Sequence, residues 1–318
     1  MSFLYGLAGE IDPLFLIVSL ATLIAFVAFE CFLASDPIIP LKVLSSRAVL
    51  LSCLAQLGLM SARWTVLFYT PIFMLAVGGS PRAEAGSILV PTNAGFAVGG
   101  MLVGWFHISR NGSFWLPCLV TIAIFSVSMW ALSAVANPTV SLAALIVSVI
   151  ASGLATGAAL NYTLAHILHH SHPGTQYITT SLIGTFRGFG GAFGTSIGGG
   201  IFTRLLRRSL KDGFLALDGM DKGDGELSPA RRRLISQLLG APELVYGGSL
   251  SLDERKVAVG AYAGASRGVW QAAALLGVVV LVLQAGTGWN GPSKEDDDDG
   301  NDANARASLM ENEGAGEA

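Results

Sequence analysis

Four polar side chains stand where the neighbouring sequence is almost wholly apolar: Arg63, Asn93, Asn161 and Arg187. Ionisable groups at membrane depth are costly, so they face a partner or a water-filled cavity. Arg63 lies near the middle of one apolar run. Arg187 sits about ten residues into another, just before its densest glycines. Each fits equally well a contact to a substrate or a coupling proton, or a structural ion pair or cap on freed carbonyls. Asn93 and Asn161 offer neutral hydrogen bonds to a ligand or, as commonly, to a facing helix. Glu30, nearer the end of its run, has the reach to snorkel to the interface, and is also retained as a candidate for the proton pathway.

A second cluster is His166, His169, His170 and His172. No acid or cysteine accompanies them, so a solvated loop is the first reading, proton sensing the second and metal binding the third. Cys31, Cys53 and Cys118 fall inside apolar runs and read as small apolar fillers. The chain has no G-x-x-x-x-G-K-[ST] phosphate loop, nucleophile elbow or zincin helix. Neither enzymatic activity, a cofactor, a resident metal nor a nucleic-acid partner is expected.

The elements that must position these residues are membrane helices. Hydrophobic residues make up 52% of the 318 against 13% charged, a balance that excludes an ordinary soluble domain. A span needs about 20 apolar residues to cross about 30 Å of hydrocarbon. Seven stretches qualify: Pro13–Leu33, Ala48–Leu75, Ala83–Phe106, Phe114–Ala134, Thr139–Leu164, Tyr177–Leu205 and Val269–Trp289. In lipid the backbone must satisfy its own hydrogen bonds, so the fold class is an all-α polytopic bundle. Pro71 and Pro91 are expected to kink the second and third spans, freeing carbonyls that could line a cavity.

Lys42, Arg47 and Arg110 in short loops outnumber Arg82 on the opposite side. That places residues 1–12 in the lumen or exterior and the C-terminus in the cytosol. On this topology the Asn111-Gly112-Ser113 sequon is cytosolic and stays bare. Residues 13–206 then hold six spans, 207–268 a long lumenal or exterior loop, and 269–289 the seventh span. Residues 290–318, with the acidic run Glu295–Asp299, read as a disordered tail. Within the loop, Ser228-Pro229 opens an amphipathic helix at the membrane face, whose Arg231–Arg233 present a solvated face or bind anionic lipid. Ser251 with Glu254 opens a second helix that runs on into the last span. Trp270 and Trp289 would then mark two interfacial belts.

Glycines recur at four-residue spacing: Gly95/Gly99, Gly100/Gly104, Gly153/Gly157 and Gly190/Gly194/Gly198. Such faces let helices approach closely, either for tight packing or for sliding during transport.

Several motifs together resemble the major facilitator superfamily, in its fungal fourteen-helix drug:proton antiporter branch. These are Asp36-Pro37-Ile38-Ile39-Pro40-Leu41 and Phe68-Tyr69-Thr70-Pro71-Ile72-Phe73, then Ala85-Gly86 with Pro91, and Gly99-Gly100 with Gly104. Phe186-Arg187-Gly188-Phe189-Gly190-Gly191 and Gln284-Ala285-Gly286-Thr287-Gly288-Trp289 complete the set. The likeness runs from about Gly6 to Trp289 and is greatest to vacuolar basic amino acid transporters and multidrug exporters. It implies proton-coupled antiport of a small molecule, a basic amino acid or a drug, across a vacuolar or plasma membrane. On this likeness the seven spans correspond to helices eight to fourteen, a half-length form that needs a second chain to complete its cavity. The rival reading is a non-transporting scaffold or regulatory partner, or an inactive fragment, docking through the glycine faces.

Overall fold

The computed structural model describes residues 13–32, 46–106, 114–139, 141–171, 173–219, 227–248 and 250–288. Readings placed on Arg110, Asn111, His172, Trp289 and the tail lie outside these residues, as do the side chains of Glu30 and Cys31. Among the described residues the chain is helical throughout. Its α-helices are α1 (Pro13–Phe32), α2 (Arg47–Ala76), α3 (Arg82–Ser87), α4 (Leu89–Phe106), α5 (Trp115–Val135), α6 (Leu142–His169), α7 (Gln176–Leu217), α8 (Pro229–Gly240) and α9 (Leu252–Ala285). Among them, α2, α3 with α4, α5, α6 and α9 make five segments long and apolar enough to cross a membrane. The chain is a multi-pass membrane protein. The remaining two expected spans are also helical: α1 over 20 residues and α7 over 42, the latter diluted by glycine, threonine and Arg187.

The third expected span is not one helix. It breaks at Ile88, where α3 is capped, three residues ahead of Pro91. Proline has no N–H to donate back along a helix, and the residue before it is pushed out of the helical region. Pro91 leaves the Ser87 carbonyl, four residues back, without its helical donor, and the Thr92 hydroxyl donates to the neighbouring Ile88 carbonyl at 2.8 Å. Pro71, in contrast, sits within an uninterrupted α2.

Helices α2 and α9 form the centre, with α7 packed on both, α5 against α9, and α6 against α5. Apolar and aromatic side chains fill the seams: Phe73 meets Trp270 with ring centroids 5.5 Å apart, and Tyr69 meets Phe202 at 4.9 Å. The outward faces are apolar too, with Val120, Ile124 and Val127 of α5 and Leu275, Val279 and Val282 of α9 exposed, as lipid contact requires. Helix α4 is peripheral. It packs extensively on α6 and barely touches α2, which leaves a gap between α2 and α4.

Beyond the apolar spans, α7 runs on past Leu205 to Leu217, and α9 starts at Leu252, well before the expected span. Between them α8 begins as expected, Ser228 accepting from the Arg231 N–H with Pro229 in the first turn. The apolar face of α8 packs on the protein itself. Its Ile235 and Leu238 are buried against the protein, and the Tyr262 hydroxyl donates to the Leu238 carbonyl. Arg231 is tied to Asp218 at 3.1 Å and to Glu254, and these carboxylates raise its pKa above the ordinary value. Trp270 is not interfacial: it is fully buried, because the extensions of α7 and α9 carry the packed core outward past it.

Candidate functional site

The gap between α2 and α4 is a cavity of about 550 Å³ lined by Met60, Arg63, Trp64, Leu67, Phe68, Leu89, Asn93 and Phe96. Its size is that of a small-molecule site, mostly apolar with few polar groups. Arg63 is 6% exposed, at the cavity's inner wall. Its Nη2 donates to Asn93 Oδ1 at 2.8 Å, and its guanidinium carbon lies 3.8 Å from the centre of the Phe96 ring. The cation–π contact offsets part of the desolvation of the charge. Nη1 is buried and has no hydrogen-bond partner. An arginine at bilayer depth costs about 3 kcal/mol on insertion scales, so leaving donors unused is expensive unless something else fills them.

Asn93 is fixed from the other side by its own helix, Nδ2 donating to the Leu89 carbonyl at 2.9 Å. That fixes the amide so that Oδ1 faces Arg63. Sequence reasoning missed Phe96, yet it lies three residues after Asn93 and therefore on the same helix face. It also missed Trp64, which carries the cavity toward α7.

The glycines set where α4 stands. A methyl at Gly95 or Gly99 would collide with the Ile150 or Leu154 carbonyl oxygen of α6, and one at Gly153 or Gly157 with the Thr92 or Phe96 carbonyl of α4. The two backbones are thus in direct contact, held by dispersion and Cα–H···O contacts. Gly100 meets Asn161, whose Nδ2 donates within its own helix to the Gly157 carbonyl at 3.1 Å. Gly104 has nothing within 4 Å among the described residues, so within them the expected Gly100/Gly104 face is only half used. On α7, Gly190, Gly194 and Gly198 lie against Met60, Ser61 and Thr65 of α2.

Arg187 stands one turn before Gly191 on α7, and a Cβ at Gly191 would lie 3.1 Å from the Trp64 ring. Positions four apart share a helix face, so Arg187 follows the stripe that reaches the cavity wall. Its Nε is buried without a partner. Arg63 and Asn93 therefore meet directly, whereas Asn161 lies on the α4–α6 seam. Glu30 belongs to α1, which has no extensive contact with any other described element.

The three described histidines lie at the end of a helix, not in a loop, although His169 is exposed. His166 and His169 occupy the last turns of α6, and His166 is fully buried. His166 Nε2 is 2.9 Å from Thr287 Oγ1, and Thr287 donates to the Gln284 carbonyl at 2.7 Å. His170 caps the helix, its Nδ1 2.9 Å from the His166 carbonyl. Thr287 and Gln284 were also missed as site residues. The buried stripe Thr156, Thr163, His166 was the available signal, obscured by ending the span at Leu164. No group of three metal-ligating side chains occurs among the described residues.

No family model and no curated protein sequence matches the chain. A solved structure does. It is a bacterial homolog of the human lysosomal transporter Spinster, crystallised in an inward-facing and occupied conformation; the TM-score is 0.54 at 17% identity. Over the matched residues the bundle shares the fold of that structure. The match covers 86% of this chain and 57% of that one, so the chain spans a little over half the length of its structural neighbour. At this identity the likeness speaks to the fold alone.

Proposed function

We propose that the chain works as a proton-coupled secondary transporter of small molecules, with the α2–α4 cavity as its substrate site. The observation that carries this reading is Arg63: a charge at membrane depth, oriented by Asn93 and Phe96, with Nη1 unused beside a cavity of small-molecule size. A transporter needs such a group, because a ligand that fills the spare donors stabilises one arrangement of the helices over another. Arg187 is the second polar contact, and the glycine seam between α2 and α7 is where helices move against each other. A further set of helices closes the cavity. The fold shared with a transporter structure supports the same reading.

Proteoliposomes enclosing a pH-sensitive dye test it. Wild-type chain, alone and with any co-purifying helices, is exposed to mixed amino acids, organic acids and lipophilic drugs. Substrate-dependent proton movement is expected, falling at least ~10-fold in Arg63→Ala, since hydrogen bonds to charged groups contribute about 1.5–3 kcal/mol. Undiminished flux in Arg63→Ala and Arg187→Ala removes both residues from the site. Wild-type flux no greater than that of empty liposomes in both preparations overturns the transport reading and favours a docking partner.

A further inference from the structure

A substrate site in this cavity must still have a preferred charge, and the family resemblance implied basic amino acids or drugs. We infer the opposite: the α2–α4 cavity takes an organic anion, an oxyanion group on an aromatic or aliphatic body. The inference rests on the reading of the cavity as the substrate site and adds the sign of the ligand.

Donor accounting carries it. A guanidinium has five N–H groups in a rigid fork and accepts nothing. Nη2 of Arg63 is committed to Asn93, and the Phe96 ring covers a face of the plane. The edge bearing Nη1 is buried and unpartnered. A planar fork with free donors matches a carboxylate or phosphate oxygen pair, and matches nothing that a primary ammonium offers.

The acids are elsewhere. Apart from Glu30 of α1, whose side chain lies outside what the structure describes, every acidic residue among the described ones belongs to α3 or to the unit made by the far ends of α7, α8 and α9. These are Glu84, Asp212, Asp218, Glu243, Asp253 and Glu254. Four of them are already paired: Asp218 and Glu254 with Arg231, Glu243 with Arg82, and Asp253 with Lys256. Glu84 is exposed on α3, before the break at Ile88. The described cavity wall therefore presents positive charge without compensation, and Arg187 adds a second cation beyond Trp64. Low-dielectric walls around one sign of charge concentrate ligands of the opposite sign and repel their own. The remaining lining (Trp64, Leu67, Phe68 and Phe96) suits an apolar body.

Three probes that differ only in their head group decide the matter: 4-phenylbutyrate, 4-phenylbutanol and 4-phenylbutylamine. Each is titrated calorimetrically into the purified full chain in lipid nanodiscs, with empty nanodiscs as the blank. The acid is expected to bind at least ~10-fold more tightly than the alcohol, the scale of hydrogen bonds to a charged group, and the amine more weakly than either. Asn93→Asp is the sharpest variant, because it places a carboxylate on the same atoms that already meet Arg63. It loses the donor to the Leu89 carbonyl, so folding is checked by its melting temperature, and acid binding should fall at least ~10-fold. Arg63→Lys, which keeps the charge without the fork, should retain part of the affinity.

Amine binding as tight as acid binding, no binding of the acid, or acid affinity unchanged in Asn93→Asp would each overturn the inference. Because binding is measured apart from flux, the two readings fail separately. Acid binding without proton movement removes transport and keeps the anion site; flux with a preference for the amine does the reverse.

Discussion

Arg63 and His166 are both polar side chains buried in an apolar bundle, each with one side-chain partner and one unpartnered nitrogen, and their surroundings differ. His166 is fully buried on α6, with Thr287, just past the end of α9, against its Nε2 and with its Nδ1 left without a hydrogen-bond partner. Arg63 lies on α2 where α4 stands away, its side chain among those that line a cavity. The first arrangement binds two helices together. The second keeps a charge available. What separates them is what lies alongside: Thr287 closes against His166 at the end of α6, whereas the glycine seam of α4 commits that helix to α6 and holds it off α2.

The seam is the place to break this contrast. Gly157→Val drives a side chain into the Phe96 carbonyl and the Gly100 N–H. A loss of about 3 kcal/mol or more in stability is expected, beyond ordinary overpacking because backbone must move. Hydrogen exchange should rise across α4 while the last turn of α9 stays protected. Uniform exposure of both would show that the two regions are not independent.

Substitutions at the two polar groups should differ in sign. His166→Leu removes the tie to Thr287 and is expected to lower stability by about 1–2 kcal/mol in thermal or denaturant unfolding. Arg63→Met keeps the volume and discards a membrane-buried charge, so stability should rise by about 1 kcal/mol while ligand binding is lost. A destabilised Arg63→Met would mean that Arg63 is structural and would erase the distinction. Thr287→Val is the mild version on the His166 side, with an expected loss of about 0.6 kcal/mol, the usual size of a hydrogen bond between membrane helices.

Much of the bundle was legible because apolar length and capping chemistry are local. The start of α8 at Ser228-Pro229 and the reciprocal Ser251–Glu254 box at the head of α9 follow from residues three apart. Arg63, Asn93 and Arg187 stood out for a similar reason, as polar exceptions in apolar runs. What could not be read was which face meets which. Gly99 touches backbone and Gly104 touches nothing among the described residues, although both sit in equivalent spacing. Trp270 had the sequence of an interfacial anchor, but the extra turns of α7 and α9 bury it against Phe73. The cavity itself is a gap between helices joined through a third, and no window along the chain records that.

The length of α7 has a mechanical consequence. Its 42 residues span about 63 Å without a break, roughly twice the hydrocarbon thickness. The rod passes Trp64 and Arg63 at one level and is clasped by α8 and α9 at its far end. A tilt of about 5° around Gly191 would carry Leu217, some 26 residues on, through about 3 Å. The α7–α8–α9 unit is therefore a pointer on a dial: a pair of spin labels across its far end would register, outside the lipid, a rearrangement too small to follow at the cavity.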